Sequence, residues 1–95
     1  MQVQNMTSNK GNKIANQFIV HDDYENVYFQ SYDSIIVKIG SKTLGTNKTY
    51  LDENRWDYSV TTGKYRNIFL GETKKETQKK IDNGIYELTD LNNRG

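Results

Sequence analysis

The sequence predicts a small α+β protein, in which an N-terminal antiparallel β-meander is followed by two short helices. Up to about residue 60, short runs rich in Ile, Val, Tyr and Phe alternate with clusters of Asp, Asn, Ser and Gly, the punctuation of strands and turns. Beyond that point apolar side chains recur at helical spacing and two sets of capping residues stand in order. The length of 95 residues suits one domain and leaves no room for a second core.

The opening MQVQNMTSNKGNK carries no periodic pattern, so residues 1–12 are expected to be flexible. ANQFIV (15–20) is a β-rich run, and HDDYEN (21–26) supplies the Asp and Asn that favour a hairpin turn. VYFQSY (27–32) reads as the second strand. SIIVKIG (34–40) is either a third strand or a bent continuation of the second across Tyr32 and Asp33. After the loop GSKTLGTNK (40–48), TYLD (49–52) is a short strand and ENRWDYS (53–59) an extended approach to the helical region.

In SVTTGKYRNIFLG, Tyr65, Ile68 and Phe69 fall at i, i+3 and i+4, the spacing that puts side chains on one helix face. Ser59, Thr61 or Thr62 can cap the start, and Gly71 stands where a helix ends in left-handed backbone. Thr73 and Glu76 fit a capping box for a second helix over 74–82, with Gly84 as its stop. IYELTDL (85–91) returns to the sheet as an edge strand, and the tail NNRG (92–95) is expected to fray.

Composition narrows the function. The apolar share is 34%, which stays below the roughly 45–50% of ordinary globular chains even with the seven Gly added, so the core is thin and leans on seven Tyr, three Phe and one Trp. Cysteine is absent, which excludes a disulfide framework, a thiolate zinc site and a Cys nucleophile. The N-terminus lacks the apolar segment of a signal peptide and the longest apolar run, Ile35–Val37, is far too short for a membrane span; a cytoplasmic protein without membrane contact is the expectation.

No catalytic residue, metal site or cofactor is assigned. His21-Asp22-Asp23 places a His beside carboxylates, but in a turn, where Asp bonds its own backbone, and a metal site draws ligands from several elements. Asp57 with Glu72 and Lys74 has the residue types of a metal-dependent nuclease, yet Glu72 and Lys74 open a helix where such a site needs a strand. The single His21 has no marked nucleophile to serve. GSKTLGTNK lacks the spacing of a phosphate loop.

Charge is unevenly spread. Thirteen basic against twelve acidic residues give a net charge of +1, but residues 64–80 hold Lys64, Arg66, Lys74, Lys75, Lys79 and Lys80 against Glu72 and Glu76 alone. Together with Tyr32, Arg55, Trp56, Tyr58 and Tyr65, the cations Lys64, Arg66, Lys74 and Lys75 form the candidate binding set. The bland reading is a solvated helix face, with Glu76 and Lys80 as an ordinary i, i+4 pair and Trp56 as a core anchor. The functional readings are phosphate attraction with base stacking on the rings, or a protein contact built on Trp, Tyr and Arg.

The succession GNKIANQF, YFQSYDSI and WDYSVTTGKYRNIFL resembles a family of small uncharacterised proteins of bacteriophages and other mobile elements, with a pattern near NQF…FxSYxS…WDYSxTTxKYRxxFL. The likeness covers roughly residues 11–91. The pattern falls on Asn16, Gln17, Phe18, Phe29, Ser31, Tyr32, Ser34, Trp56, Asp57, Tyr58, Ser59, Thr61, Thr62, Lys64, Tyr65, Arg66, Phe69 and Leu70. The resemblance implies a phage or prophage source and a bacterial host. By analogy with small phage proteins that block host machinery, CRISPR nucleases included, the leading expectation is a non-enzymatic inhibitor that occludes a host protein or nucleoprotein complex, with Asp22, Asp23, Glu25 and Asp33 imitating phosphates. The alternative is a binder of single-stranded DNA or RNA that uses residues 55–80. Self-association is not legible.

Overall fold

The computed structural model describes residues 1–41, 43, 45 and 47–92. The α+β expectation holds: six strands form one mostly antiparallel sheet, and two helices follow the first five. The strands are β1 (Gln2–Thr7), β2 (Lys13–His21), β3 (Val27–Ser31), β4 (Ser34–Ile39), β5 (Thr49–Asp52) and β6 (Tyr86–Thr89), arranged in sequence order. The helices are α1 (Val60–Leu70) and α2 (Lys74–Asp82). Strands β1 to β5 are a meander, whereas β6 lies parallel to β5, because the two helices supply the long crossover that a parallel pair requires.

Residues 2–7, expected to be flexible, form strand β1, paired with β2 from Gln2↔His21 to Asn5↔Phe18. QVQNMT shows little alternation because only Met6 among its six residues is buried. Ladder hydrogen bonds with β2, and the Asn5 amide donating to the Ile14 and Gln17 carbonyls, order it instead.

His21-Asp22-Asp23 is the β2–β3 turn. Asp22 accepts hydrogen bonds from the Tyr24 and Asn26 backbone N–H groups, from the Asn26 amide and from the Tyr28 hydroxyl. Burial opposes its charge, but these donors outweigh it and hold the Asp22 pKa at about 2; burial together with the bond to Asp22 pushes Tyr28 up to about 12.

Residues 27–39 are two strands. Ser31 pairs with Ser34 across a two-residue loop, and Tyr32 takes φ 56° there, with its N–H bonded to the Asn16 carbonyl at 2.7 Å. A register shift after Phe29 lets Ile36 enter the core fully buried. The stretch expected to run extended over 53–59 is instead a series of turns, because the Asp52 carbonyl accepts from both Arg55 (3.3 Å) and Trp56 (3.0 Å). The 40–48 loop lies partly, and residues 93–95 wholly, outside the described residues. Asn92 is tied down, donating to the Ile35 carbonyl and accepting from its N–H at 2.9 and 2.7 Å.

The core lies between the sheet and the helices. Met6, Phe29, Ile36, Val37 and Leu51 are buried there, with Trp56, Tyr65, Phe69, Leu70, Ile81 and Tyr86 packed against them. The Phe29 and Phe69 rings stack at 5.7 Å.

Candidate interaction surface

Helix α1 starts as its sequence directs. Of the three capping candidates Ser59 is the cap, its hydroxyl accepting from the Thr62 N–H at 3.1 Å, and Gly71 closes the helix at φ 70°. The face turned to the sheet is not the expected one. Tyr65 and Phe69 pack inward, but Ile68 is 57% exposed, and the most deeply buried positions are Thr62 and Arg66. Thr62 reaches Ser31 of the sheet through a hydroxyl pair at 2.9 Å.

Arg66 was expected to be a surface anchor and is instead sealed, with its side chain 1% exposed. Its guanidinium donates to the Trp56 carbonyl and to the Asn67 side chain (2.9 Å), stacks over the Trp56 ring at 5.2 Å and stands 3.6 Å from Asp57. Burial lowers its pKa, and Asp57 opposes that shift. With its Nη1 and Nη2 donors directed at internal groups and its buried Nε–H left without a partner among the described residues, Arg66 is a strut between α1 and the 56–57 turn. Trp56 and Tyr65, half-buried against the core, are likewise not free rings.

What Arg66 builds is the floor of a groove of about 640 Å³, lined by Asp57, Tyr58, Val60, Lys64, Asn67 and Lys74 among others. Lys74 bridges to Asp57 at 2.8 Å, fastening the start of α2 to the turn before α1. Around the groove Val60 is 92% exposed and Tyr58 50%. Lys64 is exposed and lies over the Tyr65 ring at 5.4 Å. Lys75 continues the basic rim with Lys79 along α2. The structure thus brings Tyr58, Lys64, Arg66 and Lys74 together, with Lys75 beside them.

Tyr32 and Arg55 do not join this surface. Tyr32 projects from the β3–β4 turn, and Arg55 lines a smaller pocket with Asp33, Ser34 and Asn92, 3.9 Å from the buried Asp52. Sequence reasoning missed Val60 and Asn67 in the groove, and Ile68 on the exposed side of α1. Val60 and Ile68 are eight residues apart, a spacing that repeats on one helix face, and that was the available signal.

The sites set aside on sequence are accounted for. Lys74 does meet Asp57, but Glu72 turns away: its carboxylate accepts from Thr77, from Lys80 at 2.7 Å and from the Tyr86 hydroxyl at 2.8 Å, tying α2 to β6. Burial would raise the Glu72 pKa, yet these three donors hold it below its ordinary value. Among the described residues no three His, Asp or Glu side chains gather to hold a metal ion, and no helix is long and apolar enough to cross a membrane. Of the carboxylates expected to imitate phosphates, Asp22 serves its own turn, Asp23 pairs with the Met1 ammonium at 2.6 Å and Glu25 accepts from Ser41 at 2.9 Å.

No match was found among curated proteins or among solved structures. A family model does match, over residues 1–84, from β1 to the end of α2. The chain belongs to that family, described as a family of unknown function, DUF8033.

Proposed function

We propose that this chain is a non-enzymatic binding protein whose contact surface is the outer face of α1 with the adjoining groove, and that its partner is a protein presenting apolar and acidic groups. The observation that carries this reading is the exposure of Val60 (92%) and Ile68 (57%) on a helix whose inner side buries Arg66 and Thr62. Apolar side chains left in water beside lysines match the make-up of a protein contact, in which apolar anchors sit at the centre and charges at the rim. Lys64, Lys74 and Lys75 would speed encounter with an acidic surface and set its orientation.

Action by occlusion follows from such a surface, since a rigid domain that covers a partner needs no reactive group. The resemblance to phage and mobile-element proteins supports a host enzyme or nucleoprotein as that partner, with a counter-defence inhibitor as one form of the activity. Direct capture of single-stranded nucleic acid is less well supported, because Trp56 and Tyr65 are committed to the core and leave Tyr58 as the exposed ring beside the lysines.

Affinity capture with protein and nucleic acid both identified tests this reading. A protein partner retained by the wild type and lost by the fully folded Val60→Asp and Ile68→Asp variants supports it; a buried apolar anchor is worth about 2 kcal/mol, roughly thirtyfold in affinity. Recovery of oligonucleotides alone, released steeply by salt and weakened by Lys64→Ala, would overturn it.

A further inference from the structure

The two ends of the sheet are built differently. Strand β6 is short at four residues, its Glu87 is paired with Lys48 at 3.0 Å, and Tyr86 binds it to α2 through Glu72 and Lys80. Shortness, charge and a covering helix are devices that stop a sheet edge from pairing with another chain. Strand β1 has none of them. Its six residues, QVQNMT, include no charge, no Pro and no Gly. The register with β2 is regular from Gln2 to Asn5, and the bulge that would twist an edge away comes only after Asn5. Among the described residues, no backbone–backbone hydrogen bond outside the β1–β2 ladder involves residues 2–7.

From this asymmetry we infer that β1 is a self-association edge, where two copies of the chain pair residues 2–4 antiparallel about a two-fold axis at Val3 and join their sheets into one. A second copy fits better than a foreign strand for an electrostatic reason. An axis at Val3 sets Val3 opposite its own copy and Gln2 opposite Gln4, so a charge on the axis would face its own kind, and β1 carries no charge. The Met1 ammonium beside it is paired with Asp23 at 2.6 Å. Val3 adds an apolar reason. It is 64% exposed, it shares a sheet face with the buried Val20 opposite it in the register, and a second Val3 across the axis would cover it. Gln2 and Gln4 flank Val3 with amides that can bond to their counterparts. This surface is separate from the α1 face, so either assignment can fail without the other.

Sedimentation velocity on the full chain, over a concentration series reaching the millimolar range, tests the inference. The wild type is expected to shift from monomer to dimer, and Val3→Lys, which sets like charges opposite each other, to move that shift at least about tenfold higher in concentration. The chain has no cysteine, so single-cysteine variants report proximity directly. Under mild oxidation Val3→Cys is expected to give a disulfide-linked dimer and Glu87→Cys, on the opposite edge, to stay monomeric. A wild type that is monomeric at every concentration would overturn the inference. So would a dimer untouched by a Val3→Lys variant with wild-type circular dichroism, or cross-linking of Glu87→Cys as fast as that of Val3→Cys. Should Val3→Lys lose the fold, the cysteine pair decides.

Discussion

The two helices meet the sheet in different ways. Helix α2 is conventional: Thr77 and Ile81 face inward while Lys74, Lys75, Gln78 and Lys79 are solvated, and a complete capping box at Thr73 and Glu76 starts it. Helix α1 is reversed along its middle, with Thr62 and Arg66 buried and Val60 and Ile68 outside. A solvated lysine face needs no partner, whereas a helix that hides a guanidinium and displays aliphatic side chains has used its inner face for something other than maximal apolar burial. The difference teaches that the orientation of α2 follows from its own pattern, whereas that of α1 combines aromatic packing by Tyr65 and Phe69 with a specific set of buried polar contacts.

The sharpest way to break this comparison is Arg66→Met. It keeps volume but removes the donors to the Trp56 carbonyl and Asn67, and it should cost about 3 kcal/mol or more in urea unfolding, while Lys64→Met two residues away stays within about 0.5 kcal/mol. Equal small effects would show that the buried polar face is not what anchors α1.

On the α2 side, Glu72→Ala leaves Thr77, Lys80 and Tyr86 without their acceptor and should cost about 2 kcal/mol in the same assay. The carboxylate also fixes a pH dependence. Glu72 and Asp22 both have folded-state pKa values below their ordinary 4.5 and 3.8, so the stability they contribute is present above those values and is lost as pH falls through the folded ones, about 2 for Asp22. Acid titration followed by circular dichroism should therefore show a shallower loss below pH 3.8 in Asp22→Asn than in the wild type.

A smaller effect is expected at the cap. Thr73→Ala removes the hydroxyl that accepts from the Glu76 N–H and should lower stability by about 1 kcal/mol. Gly63→Ala should act in the opposite direction and raise the thermal midpoint. It lies inside α1, and an added Cβ would stand 3.6 Å from the Arg66 guanidinium, an ordinary contact, so the helix gains about 0.5 kcal/mol. The smallest change belongs to Val60→Ser and Ile68→Ser, expected within about 0.5 kcal/mol of wild type because both side chains are in water. A large loss of stability in either would mean that the outer face of α1 serves the fold.

Much of this architecture was legible. Turn chemistry at Asp22, caps at Ser59 and Thr73, and glycines at 71 and 84 act through neighbours a few residues away, and a linear sequence displays such neighbours directly. Strand β1 was not legible, because its hydrogen bonds come from β2 and its side chains add little burial. The candidate surface was half legible: the basic run marked Lys64, Lys74 and Lys75, but the same run suggested Arg66 and Trp56 as anchors, and composition carries no information about which way a ring or a guanidinium points.

The sequence by itself determined where helices begin and end, the strands from β2 to β5, and that cations gather after residue 63, since these depend on local backbone chemistry and on charge count. The tertiary structure decided which face of α1 meets the sheet. Contacts such as Thr62 with Ser31 and Arg66 with the Trp56 carbonyl join residues 31 and 10 positions apart, and only closing the chain reveals that a polar face hydrogen-bonded in most of its groups can be buried while aliphatic side chains are left in water.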